Sequence, residues 1–235
     1  MLKIVLVIVL VAFAAATMVP HVGPIDSHAP LTYKMELNDP PIKRWEFIYK
    51  DFKEPLDRFM AYLDLLPISK TFYDGVELYA KTEFKYQDFV EEVDALAKLS
   101  GYPFEKIFFF NFFYEFSTVP LCTGFLVRNK DGTVMHGRNL DFEMWELISK
   151  LLVNLDYYKD GKYLFTNYAV AGSVFSLTGV RPGGFSVNVD TRGARSLSED
   201  LVSLIKNNAI PVCWLLRKVL EEESTYESAS LRLRN

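Results

Sequence analysis

Histidine is scarce in this chain and basic residues form no cluster, which excludes two large classes of function. Only three histidines occur among 235 residues, at His21, His28 and His136. Their separations do not match those of metal ligands, so no metal site is predicted. The formal net charge is -4 and the Lys and Arg residues are scattered, so the chain lacks the basic surface that nucleic acid binding requires. We therefore expect neither a metal ion nor a nucleic acid among its partners.

Only two cysteines are present, Cys122 and Cys213. In an oxidising compartment they would be able to form a disulfide. Against such pairing, the segment 210–220 has the amphipathic pattern of a helix, in which a small apolar thiol at Cys213 packs well. We favour the buried free thiol over the disulfide. The chain also lacks any Asn-x-Ser/Thr triplet, which removes N-linked glycans from consideration.

Long apolar runs are absent except at the amino terminus. Met1-Leu2-Lys3 carries a positive charge, and the apolar stretch from Ile4 to Ala16 follows it. This order is typical of a secretory signal peptide, which we assign to residues 1–17. The run is shorter than the ~20 residues that a membrane-spanning helix needs. The mature protein is therefore predicted to be soluble in the secretory pathway, and to reach the lysosome or be secreted.

The residues after the signal peptide have mainly helical patterns. Apolar residues recur at three- and four-residue spacing over 56–66 and 86–99, and a third helix is predicted from Phe104 to about Phe116. Within that helix, the stretch from Ile107 to Tyr114 is apolar nearly all round. Such a helix is either buried on every side or presents aromatic rings to lipid or to an acyl chain. We favour burial, and the alternative is the basis for an expected association with a membrane surface.

Strand patterns dominate after Thr118. The segments 123–127 and 133–136 flank a turn at Asn129-Lys130-Asp131-Gly132, which predicts a β-hairpin. Other strands are predicted from Tyr33 to the prolines at 40 and 41 and at 151–155, 163–168, 173–177 and 184–189, and other helices at 201–206 and 212–222. Strands and helices that do not alternate regularly indicate an α+β fold. No internal repeat, heptad pattern or low-complexity linker divides the chain.

Three residues of the predicted hairpin have the chemistry of a catalytic site. Cys122 stands at its start, and Arg138 and Asp141 leave its far end, so antiparallel pairing brings the three close together. If the Leu121–Cys122 bond is cut, Cys122 gains a free α-amine beside its thiol, which places nucleophile and general base on one residue. Taken singly, a cysteine is more often a small core residue, and Arg and Asp three apart are more often a solvent-facing ion pair.

The motif that contains these residues resembles a known family. Cys122-Thr123-Gly124, followed by the segment from His136 to Phe142, is similar to the motif of the acid ceramidase and N-acylethanolamine-hydrolysing acid amidase family of N-terminal-nucleophile hydrolases. The similarity extends to 39–45, 110–115, 177–179 and 210–215, of which the last looks more like the acid amidase and 110–115 more like the ceramidase. It implies the αββα sandwich of that class, incomplete at the C-terminus and preceded by a mainly helical N-terminal segment.

What the resemblance implies is a lysosomal proenzyme that cuts itself between Leu121 and Cys122. The α-chain segment would comprise residues 18–121 and the partial β-chain residues 122–235, and the two would stay together. Cys122 would be the nucleophile, and Arg138 and Asp141 fall on the charged pair of the family. The implied substrates are fatty-acid amides, either N-acylethanolamines or ceramides, and neither a metal nor an organic cofactor takes part.

Three departures from the family pattern keep other functions open. Gly124 stands where the family usually has Ser, Thr191 stands where it has an acidic residue, and the family continues well past the helix around Trp214 to an Asn that stabilises the oxyanion. The first alternative is a truncated, catalytically inactive isoform that binds lipid or a partner through its Phe-rich helix and an exposed sheet edge. The second is a structural protein with a Cys122–Cys213 disulfide.

Overall fold

The computed structural model describes residues 29–116, 121–141, 144–190, 207 and 209–234. The side chains of Phe116 and Leu121 are outside this description. The expected signal peptide at 1–17 and the helix predicted at 201–206 also lie outside the described residues.

Helices dominate the first half of the described chain and strands the second. The elements are β1 (Leu31–Glu36), α1 (Pro41–Arg44), α2 (Glu46–Leu65), α3 (Lys70–Thr82), α4 (Gln87–Ser100), α5 (Phe104–Asn111), α6 (Phe113–Phe116), β2 (Leu121–Arg128), β3 (Val134–Asp141), α7 (Trp145–Ile148), a 3₁₀ turn (Ser149–Leu151), β4 (Leu152–Lys159), β5 (Lys162–Val170), β6 (Thr178–Arg181), β7 (Phe185–Asn188), α8 (Val212–Glu222) and α9 (Tyr226–Arg234). This arrangement confirms the α+β class.

The helix boundaries follow from local signals. The side chain of Ser69 caps α3 by accepting a hydrogen bond from the backbone N–H of Phe72. Gly101, with a φ of 69°, ends α4 in the left-handed conformation that glycine adopts without strain. The helices predicted at 56–66, 86–99 and 104–116 are present, although the first is only part of α2 and the last is broken at Phe112. The helix α3 was not predicted.

The Phe-rich segment is buried rather than exposed to lipid. Phe108, Phe109 and Phe110 are 2–4% exposed and belong to the main hydrophobic core. The ring of Phe108 packs against those of Phe84 and Phe89 at centroid distances of 5.6 Å, with the ring planes nearly perpendicular. This segment therefore gives no support to the expected membrane association, which also rested on the insolubility of the implied substrates and stays a prediction. Within the described ranges, no helix is long and apolar enough to cross a bilayer.

One sheet contains five strands in the order β1-β4-β5-β6-β7. The first pair, β1 and β4, is parallel with Leu31 opposite Val153, and the other neighbours are antiparallel. Since β1 precedes the predicted cleavage point and β4 follows it, this sheet contains strands from both sides of that point. The five-stranded sheet and the separate pair β2–β3 are the parts of the expected sandwich that the described residues contain.

The strand predicted at 173–177 is wrong. These residues form a buried irregular loop between β5 and β6. The side chain of Asn111 donates to the carbonyl of Gly172 at 3.1 Å and accepts from the backbone N–H of Val174 at 2.7 Å. Asn167 donates to the carbonyl of Phe175 at 2.9 Å. Side-chain amides thus satisfy backbone groups that a strand would have paired, because a buried backbone cannot leave them unpaired.

Arg217 on α8 forms the centre of a buried charge cluster. It is fully buried and donates to the carbonyl of Val174 at 3.0 Å and to the hydroxyl of Tyr157 at 2.7 Å. Its other nitrogens lie 2.5 Å from Glu221 and 3.4 Å from Glu92. A buried guanidinium is tolerated when anions and acceptors satisfy it in this way. The cluster ties α8 to the irregular loop at 171–177 and to α4.

Acid is expected to weaken this cluster through Glu221. Burial raises the pKa of Glu221, but the charges of Arg217 and Lys218 outweigh burial and hold that pKa below its ordinary value of 4.5. Because the folded-state pKa is the lower one, the ionised carboxylate contributes its full stability above pH 4.5 and loses it as the pH falls further. At neutral pH, Glu221→Gln should lower the free energy of unfolding by about 1.5–3 kcal/mol, the worth of a hydrogen bond to a charged group.

Urea unfolding at a series of pH values measures this effect. The difference between Glu221→Gln and the wild type should shrink below pH 4.5, because the carboxyl of the unfolded wild type then takes up a proton and that of the folded protein does so at lower pH. Glu227→Gln, on the exposed start of α9, is the matched control and should follow the wild type. A difference that stays constant across the whole pH range would contradict the expectation.

Candidate active site

Cys122 and Arg138 lie on the same face of the β2–β3 hairpin. Gly124 is the cross-strand partner of Arg138, and Leu140 is that of Cys122. Because side chains alternate along a strand, Cys122 and Gly124 share a face with Arg138. The Nη2 atom of Arg138 lies 3.6 Å from the Sγ atom of the half-buried Cys122. The structure therefore brings a cationic donor to the predicted nucleophile, where it can stabilise charge that develops on sulfur.

The guanidinium of Arg138 is fixed by the start of β6 and by the residue that follows β7 in the five-stranded sheet. Nη1 donates to the hydroxyl of Thr178 at 2.9 Å, and Nη2 donates to the carbonyl of Val189 at 2.7 Å. The side chain of Arg138 is only 8% exposed. Thr178 begins β6 directly after the irregular loop at 171–177, so the hydrogen bonds that hold that loop also position Arg138. Side chains, rather than a shared backbone ladder, join the hairpin to the sheet.

Asp141 lies on the other face of the hairpin. Its cross-strand partner is Leu121, so its side chain is on the opposite side from Cys122. The carboxylate accepts a hydrogen bond from the amide of Asn139 at 2.8 Å and is exposed. The structure thus brings Arg138 to Cys122 but not the Asp141 carboxylate. The bond between Leu121 and Cys122 is intact here, and the role of Asp141 after cleavage stays a prediction.

Two polar residues at the site were not predicted from the sequence. Asp190 places its Oδ1 atom 4.0 Å from the Nε atom of Arg138. Asn188 donates to that same Oδ1 atom at 2.7 Å and contacts His136 at 2.8 Å. His136 was part of the motif but had no assigned role. The available signal was the two-residue spacing of Asn188 and Asp190, which places both on one face at the end of β7.

A small apolar cavity lies next to the hairpin residue opposite Cys122. Leu140, the cross-strand partner of Cys122, is one of its walls. The other lining residues are apolar or aromatic and come from α2, α5, α6, α7, β5 and the loop before β6: Phe59, Phe110, Phe113, Tyr114, Ile148, Val170, Phe175 and Leu177. Its walls are apolar, but its volume of about 30 Å³ is well below the ~300 Å³ of a typical ligand pocket.

Cys213 is a buried free thiol. It is 2% exposed in the first turn of α8 and packs with Tyr114, Phe175 and Leu177. Burial raises the pKa of the Cys213 thiol well above its ordinary value. Both cysteines are free in the structure, which supports the buried-thiol interpretation over the disulfide. Within the described ranges, no group of three His, Cys, Asp or Glu side chains is arranged to hold a metal ion.

Comparison with known proteins gives relatives over most of the chain, although no family model matches it. The chain is 28% identical over 214 residues to the N-acylethanolamine-hydrolyzing acid amidase of Caenorhabditis elegans, and the match covers 85% of this chain and 59% of that protein. It is 30% identical over 236 residues to the acid ceramidase of Homo sapiens, covering 89% and 58% respectively. A solved structure of a Caenorhabditis elegans N-acylethanolamine-hydrolyzing acid amidase ortholog matches 47% of each chain with 30% identity and a TM-score of 0.42.

These relatives are amidohydrolases, and that is the class of protein to which the similarity points. The chain belongs to the acid ceramidase and N-acylethanolamine-hydrolysing acid amidase family, as its motif at Cys122 predicted. It spans less than two thirds of these relatives, 59% of the amidase and 58% of the ceramidase.

Proposed function

We propose that this protein is a lysosomal proenzyme that cuts itself between Leu121 and Cys122 and then hydrolyses fatty-acid amides. The substrates would be N-acylethanolamines or ceramides, in keeping with the names of the relatives. The observation that carries the proposal is the 3.6 Å contact between Arg138 and the Cys122 thiol, at the start of a strand where cleavage would free an α-amine. The Phe-rich helix offers no support for the alternative of an inactive lipid-binding isoform, because it is buried.

Each step of the proposed reaction uses the freed amine of Cys122. The amine accepts the thiol proton, and Sγ attacks the carbonyl carbon of the substrate amide. The C–N bond breaks as that proton passes to the leaving nitrogen, so the amine product departs and an acyl-thioester remains. Water then gives a proton to the same α-amine and attacks the thioester. The C–S bond breaks, the sulfur regains its proton, and the fatty acid leaves.

Pairing across the cleavage point would hold the two products together. Strand β1 of the first segment pairs with β4 of the second over six residue pairs. Glu92, also in the first segment, forms a buried ion pair with Arg217 in the second at 3.4 Å. Loss of the single Leu121–Cys122 bond would leave these contacts intact.

We place the first part of the acyl chain at the apolar cavity at Leu140, which at about 30 Å³ would have to widen to hold more of the chain. Its position beside the cross-strand partner of Cys122 puts an apolar surface next to the thiol that would attack the acyl carbonyl. Burial of a hydrocarbon chain contributes about 0.8 kcal/mol for each CH₂ group. For an N-acylethanolamine, affinity would therefore come mainly from the acyl chain, because the ethanolamine portion is small and polar.

Acid treatment of the purified precursor tests this function. In mildly acidic buffer we expect mass spectrometry to show two fragments, of which the second begins at Cys122. Release of fatty acid from an N-acylethanolamine or a ceramide should appear together with the cleaved form, and its rates on the two substrates would identify the preferred one. A precursor that stays intact and releases no fatty acid under every acidic condition would refute the proposal.

A further inference from the structure

Arg138 has a counter-ion that the mechanism above does not use. A buried cation is costly unless an anion neutralises it. Arg138 is only 8% exposed, and its two oxygen acceptors, the Thr178 hydroxyl and the Val189 carbonyl, are uncharged. The carboxylate of Asp190 lies within ion-pair distance of this guanidinium, with its Oδ1 atom 4.0 Å from Nε. The charge of the candidate active-site arginine is therefore balanced by Asp190.

The geometry of this pair leaves one donor of Arg138 available to Asp190. The Nε atom of Arg138 is buried and has no hydrogen-bond partner within the part of the chain that the structure describes. It lies 4.0 Å from Oδ1 of Asp190. Movement of about 1 Å would bring the two atoms to hydrogen-bond distance. Since the other guanidinium nitrogens contact Thr178, Val189 and Cys122, this approach would complete the hydrogen bonding of Arg138 without displacing it from the thiol.

A row of polar side chains orients Asp190. Asn188 donates from Nδ2 to the Oδ1 atom of Asp190 at 2.7 Å, and its own Oδ1 atom lies 2.8 Å from Nε2 of His136. The other ring nitrogen of His136 lies 2.8 Å from the hydroxyl of Ser186. Because an amide oxygen only accepts, the network assigns a proton to Nε2 of His136. That proton is present in both the neutral and the charged ring, so the support of Asn188 does not depend on the charge of His136.

Gly124 leaves space for this carboxylate. A Cβ atom at Gly124 would lie 3.2 Å from both Oδ2 of Asp190 and Nδ2 of Asn188. These contacts are tight, so any side chain at Gly124 would press on the pair. Gly124 is also the cross-strand partner of Arg138, which places the open position directly opposite the guanidinium. The serine that the family usually has at position 124 would therefore crowd Asp190 and Asn188 in this chain.

We propose that Asp190 is a positioning residue that holds Arg138 against the Cys122 thiol, and that His136 acts through Asn188 to hold Asp190 in turn. The inference deepens the proposed function and rests on it for its catalytic consequence. Its claim about the position of Arg138 can be tested in the uncleaved protein and does not depend on the proposed activity. Loss of the Asp190 charge leaves Arg138 as a buried cation without an anion, which favours a guanidinium position closer to water and farther from Cys122.

Thiol labelling and kinetics of Asp190→Asn test the proposal. In the uncleaved protein we expect iodoacetamide to label Cys122 more slowly in Asp190→Asn than in the wild type, as measured by peptide mass spectrometry. In the cleaved protein kcat should fall by about 10- to 10²-fold with little change in KM, which is the scale for misplacement of a group near the reacting atoms. Asp190→Glu keeps the charge and should recover part of both losses.

Two further variants make the test decisive. Asn188→Leu removes the hydrogen-bond donor to Asp190 but leaves the charge of Asp190 in place. It should slow labelling of Cys122 and lower kcat in the same direction as Asp190→Asn, but by less. Asp74→Asn is the matched control, because Asp74 is exposed on α3, pairs with the exposed Lys70 at 2.7 Å, and should match the wild type. Labelling of Cys122 in Asp190→Asn and Asn188→Leu that is as fast as in Asp74→Asn would overturn the proposal. A wild type that neither cleaves nor hydrolyses would refute the proposed function, whereas the labelling rates would still decide the role of Asp190.

Discussion

Cys122→Ala is expected to remain a single uncleaved chain in acid and to hydrolyse no fatty-acid amide. The substitution removes the sulfur that would attack both the carbonyl of Leu121 and the substrate, so one change eliminates two reactions. Removal of a catalytic nucleophile costs on the order of 10⁴- to 10⁶-fold in rate. The measurements are the fragment masses after acid treatment and the release of fatty acid. Among the substitutions proposed, Cys122→Ala should have the largest effect on activity.

Cys213→Ala is the matched control for this prediction. Cys213 is the other cysteine of the chain, is buried in α8, and has a thiol whose pKa burial raises well above its ordinary value. Its loss should leave a small cavity and preserve both cleavage and hydrolysis. If Cys122→Ala still yielded a fragment that begins at residue 122, the cut would have to come from another protease, and the self-cleavage mechanism would be wrong.

Arg217→Met is expected to have the largest effect on stability, lowering the free energy of unfolding by about 3–5 kcal/mol. The change removes the charge that Glu221 and Glu92 face at 2.5 and 3.4 Å, so the largely buried Glu221 and the buried Glu92 each lose one cationic partner. It also removes the donor to the carbonyl of Val174, in the loop that leads to Thr178 and the Arg138 site. A loss of this size is a large part of the ~5–15 kcal/mol that stabilises a typical domain.

Unfolding in urea, followed by tryptophan fluorescence, measures this loss. Arg58→Met is the matched control, because Arg58 is 69% exposed and pairs with the equally exposed Glu54. The control should stay within about 0.5 kcal/mol of the wild type, as surface changes usually do. Arg217→Lys keeps the charge but not the several donors of the guanidinium, and should fall between the two. Equal midpoints for Arg217→Met and Arg58→Met would contradict the expectation.

The sequence was sufficient to predict the elements whose signals are local. The hairpin was readable because its turn, with Gly132 at a φ of 91°, lies between two alternating segments. The long helices were readable from apolar spacing, and the α+β class followed from their order. The pairing of Cys122 with Arg138 also followed, because antiparallel register converts distance along a hairpin into proximity.

The remaining features depend on contacts between distant segments. Residues 173–177 have strand-like composition, but the amide of Asn111, more than 60 residues earlier, fixes them as a loop. Asp190 follows Arg138 by 52 residues, and no local pattern shows that the two side chains meet. Asp141 was expected beside Cys122 from the hairpin and from the family resemblance, yet the alternation of side chains directs it to the other face. The spacing along the hairpin predicted which backbone segments lie close together. The direction of each side chain could be assigned only once the pairing register of β2 and β3 was known.

The division of the five-stranded sheet between the two sides of the Leu121–Cys122 bond has a consequence for any severed form. Strand β1 would then belong to one polypeptide and its neighbour β4 to the other. A fold that had been intramolecular would become a complex, so its persistence would follow mass action and weaken on dilution. Each fragment would lack part of the sheet that the other supplies, and the lifetime of the mature protein would be a property of the pair.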